Sequence, residues 1–140
     1  MAITKKELIE LLNVDIAKEW AAAVQYIQHA AMITGAQFQS IQKELLVHAN
    51  EEIGHSVQLT DLITQLGGTV TTDIDKRYTS EDSVEMLEQD LAGENNAISR
   101  YKERIAQANE LGEYGVAKML TEILTMEEEH ARDLTAALGK

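Results

Sequence analysis

Apolar residues recur every three or four positions along four long stretches of the chain, the spacing that places them on one face of an α-helix. The first stretch begins with Thr4-x-x-Glu7, a capping-box pattern, and predicts a helix that continues to about Gly35. The second predicts a helix from about Gln37 to about Leu66, where a pair of glycines ends it. The first half of the chain is therefore expected to form a long helical hairpin.

Weak periodicity and frequent Thr, Gly and Asp predict a loop over about residues 67–79. Thr79-x-x-Asp82 is interpreted as the cap of a third helix that runs to about Leu111, and a fourth helix continues to about Leu138. Helices of this length extend about 40–45 Å, and a fully extended loop of this length spans about 43–47 Å. The loop can therefore just cross the bundle, which predicts an all-α four-helix bundle of two helical hairpins joined by a long crossover.

Composition supports a single helical domain over residues 1–140. The chain has no proline to interrupt long helices and no cysteine, which excludes disulfides, thiolate ligands and thiol catalysis. It has no apolar signal core at the N-terminus, and no stretch approaches the roughly 20 apolar residues of a membrane span. The formal net charge of −12 disfavours nucleic acid as a partner and favours cations. We therefore expect a cytoplasmic protein that binds neither nucleic acid nor a membrane.

The two halves of the chain resemble each other when one is shifted by 75 residues against the other. The shift superimposes identical residues at scattered positions, including Asp15/Asp90, Glu19/Glu94, Tyr26/Tyr101, Glu52/Glu127 and His55/His130. Scattered identities arise by chance in helices rich in Ala and Leu, but paired Glu and His at matched spacings rarely do. The halves are therefore interpreted as copies of one helical hairpin.

Acidic and imidazole side chains interrupt the inward apolar stripe near the middle of each helix. In the fourth helix Glu127 and His130 lie on the stripe, whereas Glu128 and Glu129 point away from it. The second helix repeats this pattern, and the first and third each place one glutamate on the stripe. The six inward residues are Glu19, Glu52, His55, Glu94, Glu127 and His130. Because all lie near mid-helix, they should meet at about one height in the bundle.

Four carboxylates in an apolar core need compensation, because burying an unpaired charge costs on the order of several kcal/mol. Two imidazolium groups would not balance them, whereas two divalent cations would. Carboxylate and imidazole ligands together suit Fe(II) or Mn(II). The pattern therefore predicts two metal ions per chain, bridged by glutamate, with positions left open for O2 or H2O2. The alternative is a buried hydrogen-bond network without metal.

One glutamate from each of two helices, with Glu-x-x-His from each of the other two, resembles the ligand pattern of ferritin-like di-iron carboxylate proteins, and bacterioferritins in particular. The resemblance extends from Glu7 to Leu138 and implies a ferritin-like four-helix bundle that holds two iron ions, or manganese or mixed metals. It implies a ferroxidase that oxidises Fe(II) with O2 or H2O2 for iron storage and detoxification. Tyr26 matches the family's tyrosine beside the metals, which implies a redox role or support of a ligand.

The sequence differs from bacterioferritins and rubrerythrins in three features, which narrow the expected cofactors and family. Ile53 stands where bacterioferritins have the methionine that binds haem, so no haem is expected. The sequence stops at Lys140 directly after the fourth helix, so we expect a short member without a fifth helix. Ala97 stands where rubrerythrins carry an extra carboxylate. A rubrerythrin-like peroxidase, a manganese catalase-like enzyme and a non-catalytic dimetal-binding bundle are the alternative functions.

Four further residues are candidates for supporting the metal ligands. Asp15 and Asp90 lie one turn before the lone glutamates and are expected to orient the ligand imidazoles, with simple solvation as the alternative. Tyr101 is the repeat equivalent of Tyr26 and has a weaker claim to the same role. His48 lies one turn before the glutamate of the second helix, where it either gates the site, forms an auxiliary one or is an ordinary core histidine.

A second set of apolar residues predicts a homodimer. The first two helices each carry an apolar stripe on a face distinct from that of the ligands. These stripes are Trp20, Val24, Ile27 and Ala31 on the first helix and Leu46, Ala49, Ile53 and Val57 on the second. Contiguous exposed apolar surface marks an interface, so we expect these helices to pack on their symmetry mates across a twofold axis. Assembly of such dimers into a larger cage is left open.

Overall fold

Four long α-helices form the fold in a computed structural model, which describes residues 2–140. Their bounds are Lys5–Met32 for α1, Gln39–Gln65 for α2, Ser83–Glu110 for α3 and Tyr114–Ala137 for α4, with a short 3-10 helix at Ala36–Phe38. α1 packs along α2 and α3 along α4, and the two hairpins meet mainly through α1 and α3. The predicted all-α four-helix bundle is confirmed, and no strand occurs within the described residues.

Side-chain caps fix where two of the helices begin. Thr4 and Glu7 form the predicted capping box, in which each side chain accepts a hydrogen bond from the other residue's backbone N–H. α3 begins later than predicted, because the Asp82 carboxylate caps it by accepting from the backbone N–H of Glu85. The cap predicted at Thr79 is therefore wrong, and the crossover loop is longer than expected.

The crossover loop runs beside α1 for most of its length. The backbone N–H of Asp75 donates to the carbonyl of Ala17, and Lys18 Nζ lies 2.7 Å from Asp75 Oδ2. Further on, the backbone N–H of Tyr78 donates to Gln25 Oε1. Because the partners on α1 follow the same order as the loop residues, the loop runs in the direction of α1. It therefore delivers α3 to the opposite end of the bundle, as the crossover topology requires.

Apolar side chains fill the bundle on either side of a polar middle layer. One buried cluster includes Leu12, Leu62 and Leu120, and the other includes Leu45 and Leu134. Every helix contributes residues to both clusters. Its inward glutamate, and its histidine where it has one, lie in sequence between these two sets of residues. The polar layer is therefore enclosed by an apolar cluster on each side. No helix among residues 2–140 has an apolar stretch long enough to cross a membrane.

Candidate metal centre

Six ionisable side chains meet in the polar layer at the middle of the bundle. α1 and α3 each contribute one glutamate, whereas α2 and α4 each contribute a glutamate and, one turn later on the same face, a histidine. All six are buried, the most exposed retaining 5% of its surface: Glu19, Glu52, His55, Glu94, Glu127 and His130. The structure therefore brings together the six side chains that the sequence pattern places on the inward stripes.

The first histidine faces three carboxylates through a single ring nitrogen. His55 Nδ1 lies 3.1 Å from Glu52 Oε1, 3.3 Å from Glu127 Oε1 and 3.6 Å from Glu19 Oε2. These carboxylates come from all three helices other than α3. The group therefore gathers three oxygens and one nitrogen around a small buried space.

The second histidine repeats this arrangement. His130 Nδ1 lies 3.3 Å from Glu94 Oε1, 3.4 Å from Glu127 Oε1 and 3.6 Å from Glu52 Oε1. Each of the two groups offers four ligand atoms within 4.8 Å of one another, and Glu52 and Glu127 belong to both. Because a carboxylate carries two oxygens, a shared glutamate can contact two cations at once.

Many of the converging atoms lack hydrogen-bond partners in spite of their burial. The unpartnered atoms are Glu19 Oε2, Glu52 Oε1, His55 Nδ1, Glu94 Oε2 and Glu127 Oε1. The contacts of His55 Nδ1 with its three carboxylates are short but lack the geometry of a hydrogen bond. Buried polar atoms are normally paired, since leaving one unpaired costs about 1–3 kcal/mol. Carboxylate oxygens with imidazole nitrogens form a donor set that suits divalent Fe, Mn or Co. The residues present therefore fit a pair of divalent cations.

In the absence of a cation, three carboxyl groups of the cluster hold their protons to higher pH than an ordinary glutamate does. Burial, followed by repulsion from neighbouring carboxylates, raises the pKa of Glu52 well above its usual range and the pKa of Glu127 to about 7. Burial also raises the pKa of Glu94 to about 8. Burial alone would lower the pKa of His55, but Glu127 and Glu19 outweigh it and raise this pKa to about 10. An entering cation must therefore displace protons.

Two buried tyrosines bind the unshared glutamates. The Tyr26 hydroxyl donates to Glu94 Oε1 and the Tyr101 hydroxyl donates to Glu19 Oε1, both at 2.5 Å. Burial, followed by the neighbouring carboxylates, raises the pKa of each tyrosine well above 10, so both hydroxyls keep the proton that they donate. Each tyrosine thereby holds one oxygen of its glutamate and leaves the other oxygen unpartnered.

Asp15 and Asp90 do not contact the ligand imidazoles, so the orienting role predicted for them is wrong. Asp15 instead accepts hydrogen bonds from Arg100 and Arg104 on α3. Burial raises the pKa of Asp15, although the two guanidinium groups act in the opposite direction. Arg104 is only 3% exposed, and sequence reasoning missed both arginines because long basic side chains are usually solvated.

Asp90, the repeat equivalent of Asp15, likewise contacts two side chains of the other hairpin, but these are not arginines. Asp90 accepts a hydrogen bond from Gln25 Nε2, and both of its oxygens lie 2.9 Å from His29 Nδ1. The shift of 75 residues superimposes Gln25 and His29 on Arg100 and Arg104. Sequence reasoning gave His29 no role. The repeat does superimpose Asp15 on Asp90. That identity is the sequence signal that could have pointed to the residues that bind each aspartate.

His48 lies in the core against the metal-ligand cluster. Its ring stacks on that of His130, with centroids 4.0 Å apart and an interplanar angle of 21°. Its Nε2 lies 3.1 Å from Asp133 Oδ2 on α4, and its Nδ1 has no hydrogen-bond partner within residues 2–140. Burial lowers the pKa of His48. The histidine therefore joins the ligand cluster to a carboxylate that the sequence analysis did not single out.

A cavity of about 560 Å³ connects the cluster with the surface between α1, α3 and the crossover loop. Its lining includes the buried ligands Glu19 and Glu94 together with the exposed loop residues Lys76 and Tyr78. Small side chains of α1 and α3, such as Ala22, leave the space open. The ligand cluster is therefore accessible to small molecules from this side of the bundle.

Comparison with known proteins identifies the family. The sequence profile described as "Ferritin-like domain" matches residues 9–140. The chain belongs to the ferritin-like family. Among ferritin-like relatives, a nutrient stress-induced DNA-binding protein of Nostoc sp. is 30% identical, covering 94% of this chain and 77% of the relative. A bacterioferritin of Mycobacterium leprae is also 30% identical, covering 95% of this chain and 84% of the relative.

Solved ferritin-like structures share the whole architecture. A ferritin-like di-iron carboxylate protein of Bacillus anthracis aligns with a TM-score of 0.92 and 34% identity over 99% of both chains. A dodecameric thioferritin of Bacteroides fragilis, described as bacterioferritin-related, aligns with a TM-score of 0.85 and 32% identity over 98% of this chain and 87% of the other. The predicted membership, a bacterioferritin-like member of the ferritin-like superfamily, is confirmed.

Proposed function

We propose that this ferritin-like chain is a di-iron ferroxidase, which oxidises Fe(II) with O2 or H2O2 in iron storage and detoxification. The observation that carries the proposal is the pair of buried ligand groups that share Glu52 and Glu127. Carboxylates shared in this way would hold two cations side by side, the arrangement that two-metal catalysis uses. The family of the chain and its bacterioferritin relatives support the same chemistry.

Two of the six ligand residues belong to both ligand groups, and the other four each belong to one. Glu52 and Glu127 would bridge the two iron ions, and four carboxylates would balance the charge of both. The unshared ligands would be Glu19 with His55 for one ion and Glu94 with His130 for the other. Bound Fe(II) supplies the electrons that the oxidant takes up. Tyr26 and Tyr101 position the unshared glutamates, because each holds one glutamate oxygen by a hydrogen bond.

The cavity beside α1 and α3 is the proposed entrance for the oxidant. O2 and H2O2 are small and uncharged, so they can cross this space, whose lining includes small side chains such as Ala22 and Ala97. Lys18 lines the same cavity but is paired with Asp75, and acidic side chains outnumber basic ones in the lining, so its charge does not oppose the approach of Fe(II).

The test compares Fe(II) oxidation by wild type, Glu52→Ala and Glu129→Ala, with O2 and H2O2 supplied separately. Glu129 is the control because it lies on the exposed face of α4 near the cluster. Near-ultraviolet absorbance of the ferric product should rise faster with wild type and Glu129→Ala than in buffer, and Glu52→Ala should match buffer. Equal rates in all samples would instead support a non-catalytic bundle held together by metal.

The exposed face of α1 and α2 supports a proposed homodimer. The side chains of Val24, Ile27, Leu46 and Val57 are each between 44% and 55% exposed in the single chain. Ile53 lies on the same stripe, and its aliphatic side chain offers haem iron no ligand, so the proposed dimer is free of haem. The Bacteroides fragilis relative is dodecameric, which supports assembly of such dimers into a cage. The net charge of −12 opposes the DNA binding named for the Nostoc relative.

A further inference from the structure

His29 is a buried histidine that lies outside the ligand cluster and joins three parts of the fold. It stands on α1 and is completely buried. Its Nδ1 lies 2.9 Å from both carboxylate oxygens of Asp90 on α3. Its Nε2 lies 3.0 Å from the backbone carbonyl oxygen of Tyr78 in the crossover loop. Both ring nitrogens therefore face hydrogen-bond acceptors.

These two contacts require one proton more than a neutral imidazole beside a carboxylate can supply. A neutral imidazole has one N–H and one lone pair, whereas an imidazolium has two N–H groups. Because a carboxylate is a stronger acceptor than a carbonyl, a neutral His29 donates to Asp90 and turns a bare Nε2 towards the carbonyl oxygen of Tyr78. The count is the same if the additional proton lies on the Asp90 carboxyl, which then donates to Nδ1. The contact with the loop therefore depends on the second proton of the His29–Asp90 pair.

The internal repeat places a permanent cation where His29 stands. The shift of 75 residues superimposes His29 on Arg104 and Asp90 on Asp15. Arg104 Nε donates to Asp15 Oδ2 at 2.8 Å, and a guanidinium does not lose its proton in proteins. The same buried aspartate position thus faces a fixed charge in one half of the chain and a titratable ring in the other. The crossover loop, which occurs only once, is held by the titratable ring.

The loop residue that His29 holds lies at the cavity above the ligand cluster. Gln25 accepts from the backbone N–H of Tyr78 and donates to Asp90, so both backbone polar groups of Tyr78 are bound to side chains that contact Asp90. Gln89 adds an exposed hydrogen bond to the carbonyl of Thr79. The Tyr78 side chain is 50% exposed, so polar contacts rather than burial hold this end of the loop. Tyr78, Gln25 and Asp90 all line the cavity.

Titratable groups from each neighbouring element surround the pair. Asp90 faces His29 from α3, and burial raises the pKa of Asp90, although the contact with His29 acts in the opposite direction. On α2, His48 lies close enough to Asp90 to act on it by its charge, but burial lowers the pKa of His48. On α1, Tyr26 keeps its hydroxyl proton, and in the loop Lys76 is exposed to solvent. Asp90 is therefore the anionic group in contact with His29.

We propose that the His29–Asp90 pair is a proton-controlled latch, which holds the crossover loop over the cavity while it keeps its second proton and releases the loop at Tyr78 when this proton leaves. The latched state binds one proton more than the released state, so rising pH favours release. The ratio of latched to released chains falls by up to about tenfold for each pH unit. The latch thereby controls the width of the cavity entrance. That this entrance serves the oxidant rests on the proposed function, whereas the latch itself does not.

The experiment follows amide hydrogen exchange of the full-length protein from about pH 6 to about pH 9, the range in which an imidazole titrates. The amide of Tyr78 is compared with that of Asp75, which donates to the carbonyl of Ala17 in the same loop without contacting the pair. After correction for the intrinsic pH dependence of exchange, protection of Tyr78 should fall with rising pH by up to about tenfold per unit, and that of Asp75 should not. This comparison within wild type does not depend on the folding of any variant.

Two variants assign the effect to the latch. His29→Gln should abolish the pH dependence of Tyr78 protection, because an amide does not titrate. The control is Lys18→Gln, which removes the other side-chain tie of the loop, the contact with Asp75, and should leave that pH dependence unchanged. Circular dichroism checks that both variants are folded. Parallel loss of protection at Tyr78 and Asp75 in wild type, or the wild-type pH dependence in His29→Gln, would overturn the proposal.

Access to the cavity is measured with an introduced thiol, because the chain has no cysteine of its own. Ala22 lines the cavity, and modification of Ala22→Cys by a small neutral thiol reagent reports how open it is. After correction for the thiolate fraction, modification should accelerate with rising pH in Ala22→Cys but not in Ala22→Cys/His29→Gln. Identical pH profiles would show that the latch does not control the cavity. None of these readouts uses iron, so failure of the ferroxidase proposal would appear separately, in the Fe(II) oxidation assay.

Discussion

The hydroxyl of Tyr26 on α1 donates a hydrogen bond to Glu94 on α3, so each half of the chain supports a ligand of the other half. The repeat reproduces the contact with Tyr101 and Glu19. Because the donor and acceptor lie on different hairpins, the ligand positions depend on how α1 docks on α3. The crossover loop, which is bonded along α1, therefore contributes to the geometry of the cluster as well as to the topology.

Replacing Tyr26 by Phe should weaken metal binding at the subsite of Glu94. The change removes the hydrogen bond that holds one oxygen of this carboxylate, and loss of such supporting contacts typically lowers metal affinity about 10- to 100-fold. Competition titrations with a chelator should show one weakened Co(II) ion and one unchanged ion per chain. The control is Tyr114→Phe, because the Tyr114 side chain is exposed. Unaltered affinity for both ions in Tyr26→Phe would show that the hydroxyl does not position Glu94.

Saturating Fe(II) under anaerobic conditions should load the dinuclear cluster with two ions per chain, which elemental analysis can count. Glu127 belongs to both ligand groups, whereas Glu94 belongs to one. Glu127→Ala should therefore lower the affinity for both ions, and Glu94→Ala should lower it for only one. If the two variants lost iron identically, the assignment of bridging and unshared roles would be wrong.

The stability of the metal-free protein should fall as the pH rises from about 5 to about 8. The folded state raises the pKa of Glu94 from the ordinary 4.5 to about 8 and that of Glu127 to about 7. In this range the folded chain holds protons that the unfolded chain has released, so deprotonation favours unfolding. His55, with its pKa raised to about 10, acts in the same direction above its ordinary 6.5.

Thermal unfolding followed by circular dichroism at several pH values checks this prediction. Glu94→Gln/Glu127→Gln should flatten the dependence of stability on pH. This variant separates the contribution of the two buried carboxyl groups from that of charge repulsion across the acidic surface. Saturation with Co(II) should flatten it as well, because the cation replaces the protons. A metal-free wild type that gained stability across this range would contradict the raised pKa values.

The sequence predicted the helices and the cluster because both follow from helical periodicity. Glu52 and His55 lie three residues apart and must share a face of α2. The aspartates could not be assigned in this way, because their partners lie on another helix. Asp15 meets Arg100 and Arg104 only after α1 has docked on α3. Periodicity shows which side of a helix points inward, but it does not show which side chain stands opposite.

Removing Arg104 should destabilise the fold by about 3 kcal/mol, because it leaves the buried carboxylate of Asp15 with a single partner. Urea unfolding of Arg104→Ala measures the loss, and Arg132→Ala, at an exposed position on α4, is the control. The repeat supplies a rescue. Arg100→Gln/Arg104→His copies the pair that binds Asp90, so it should recover part of the stability. A stability of Arg104→Ala equal to that of the control would rule out a structural role for this ion pair.

The protein should form a homodimer, without haem, through α1 and α2. Val24 is 44% exposed and Ile53 lies on the adjacent stripe of α2, so introducing charge at both positions should prevent two apolar faces from meeting. Val24→Glu/Ile53→Glu should therefore be monomeric by light scattering while it retains its helical circular dichroism. Val84→Glu, which adds a charge to an exposed apolar position on α3, should remain a dimer or larger.

Wild type incubated with haemin should show no Soret band of bound haem, because isoleucine at position 53 offers the iron no sulfur ligand. A monomeric wild type would exclude the interface, whereas a Soret band that Ile53→Glu abolishes would place haem there after all.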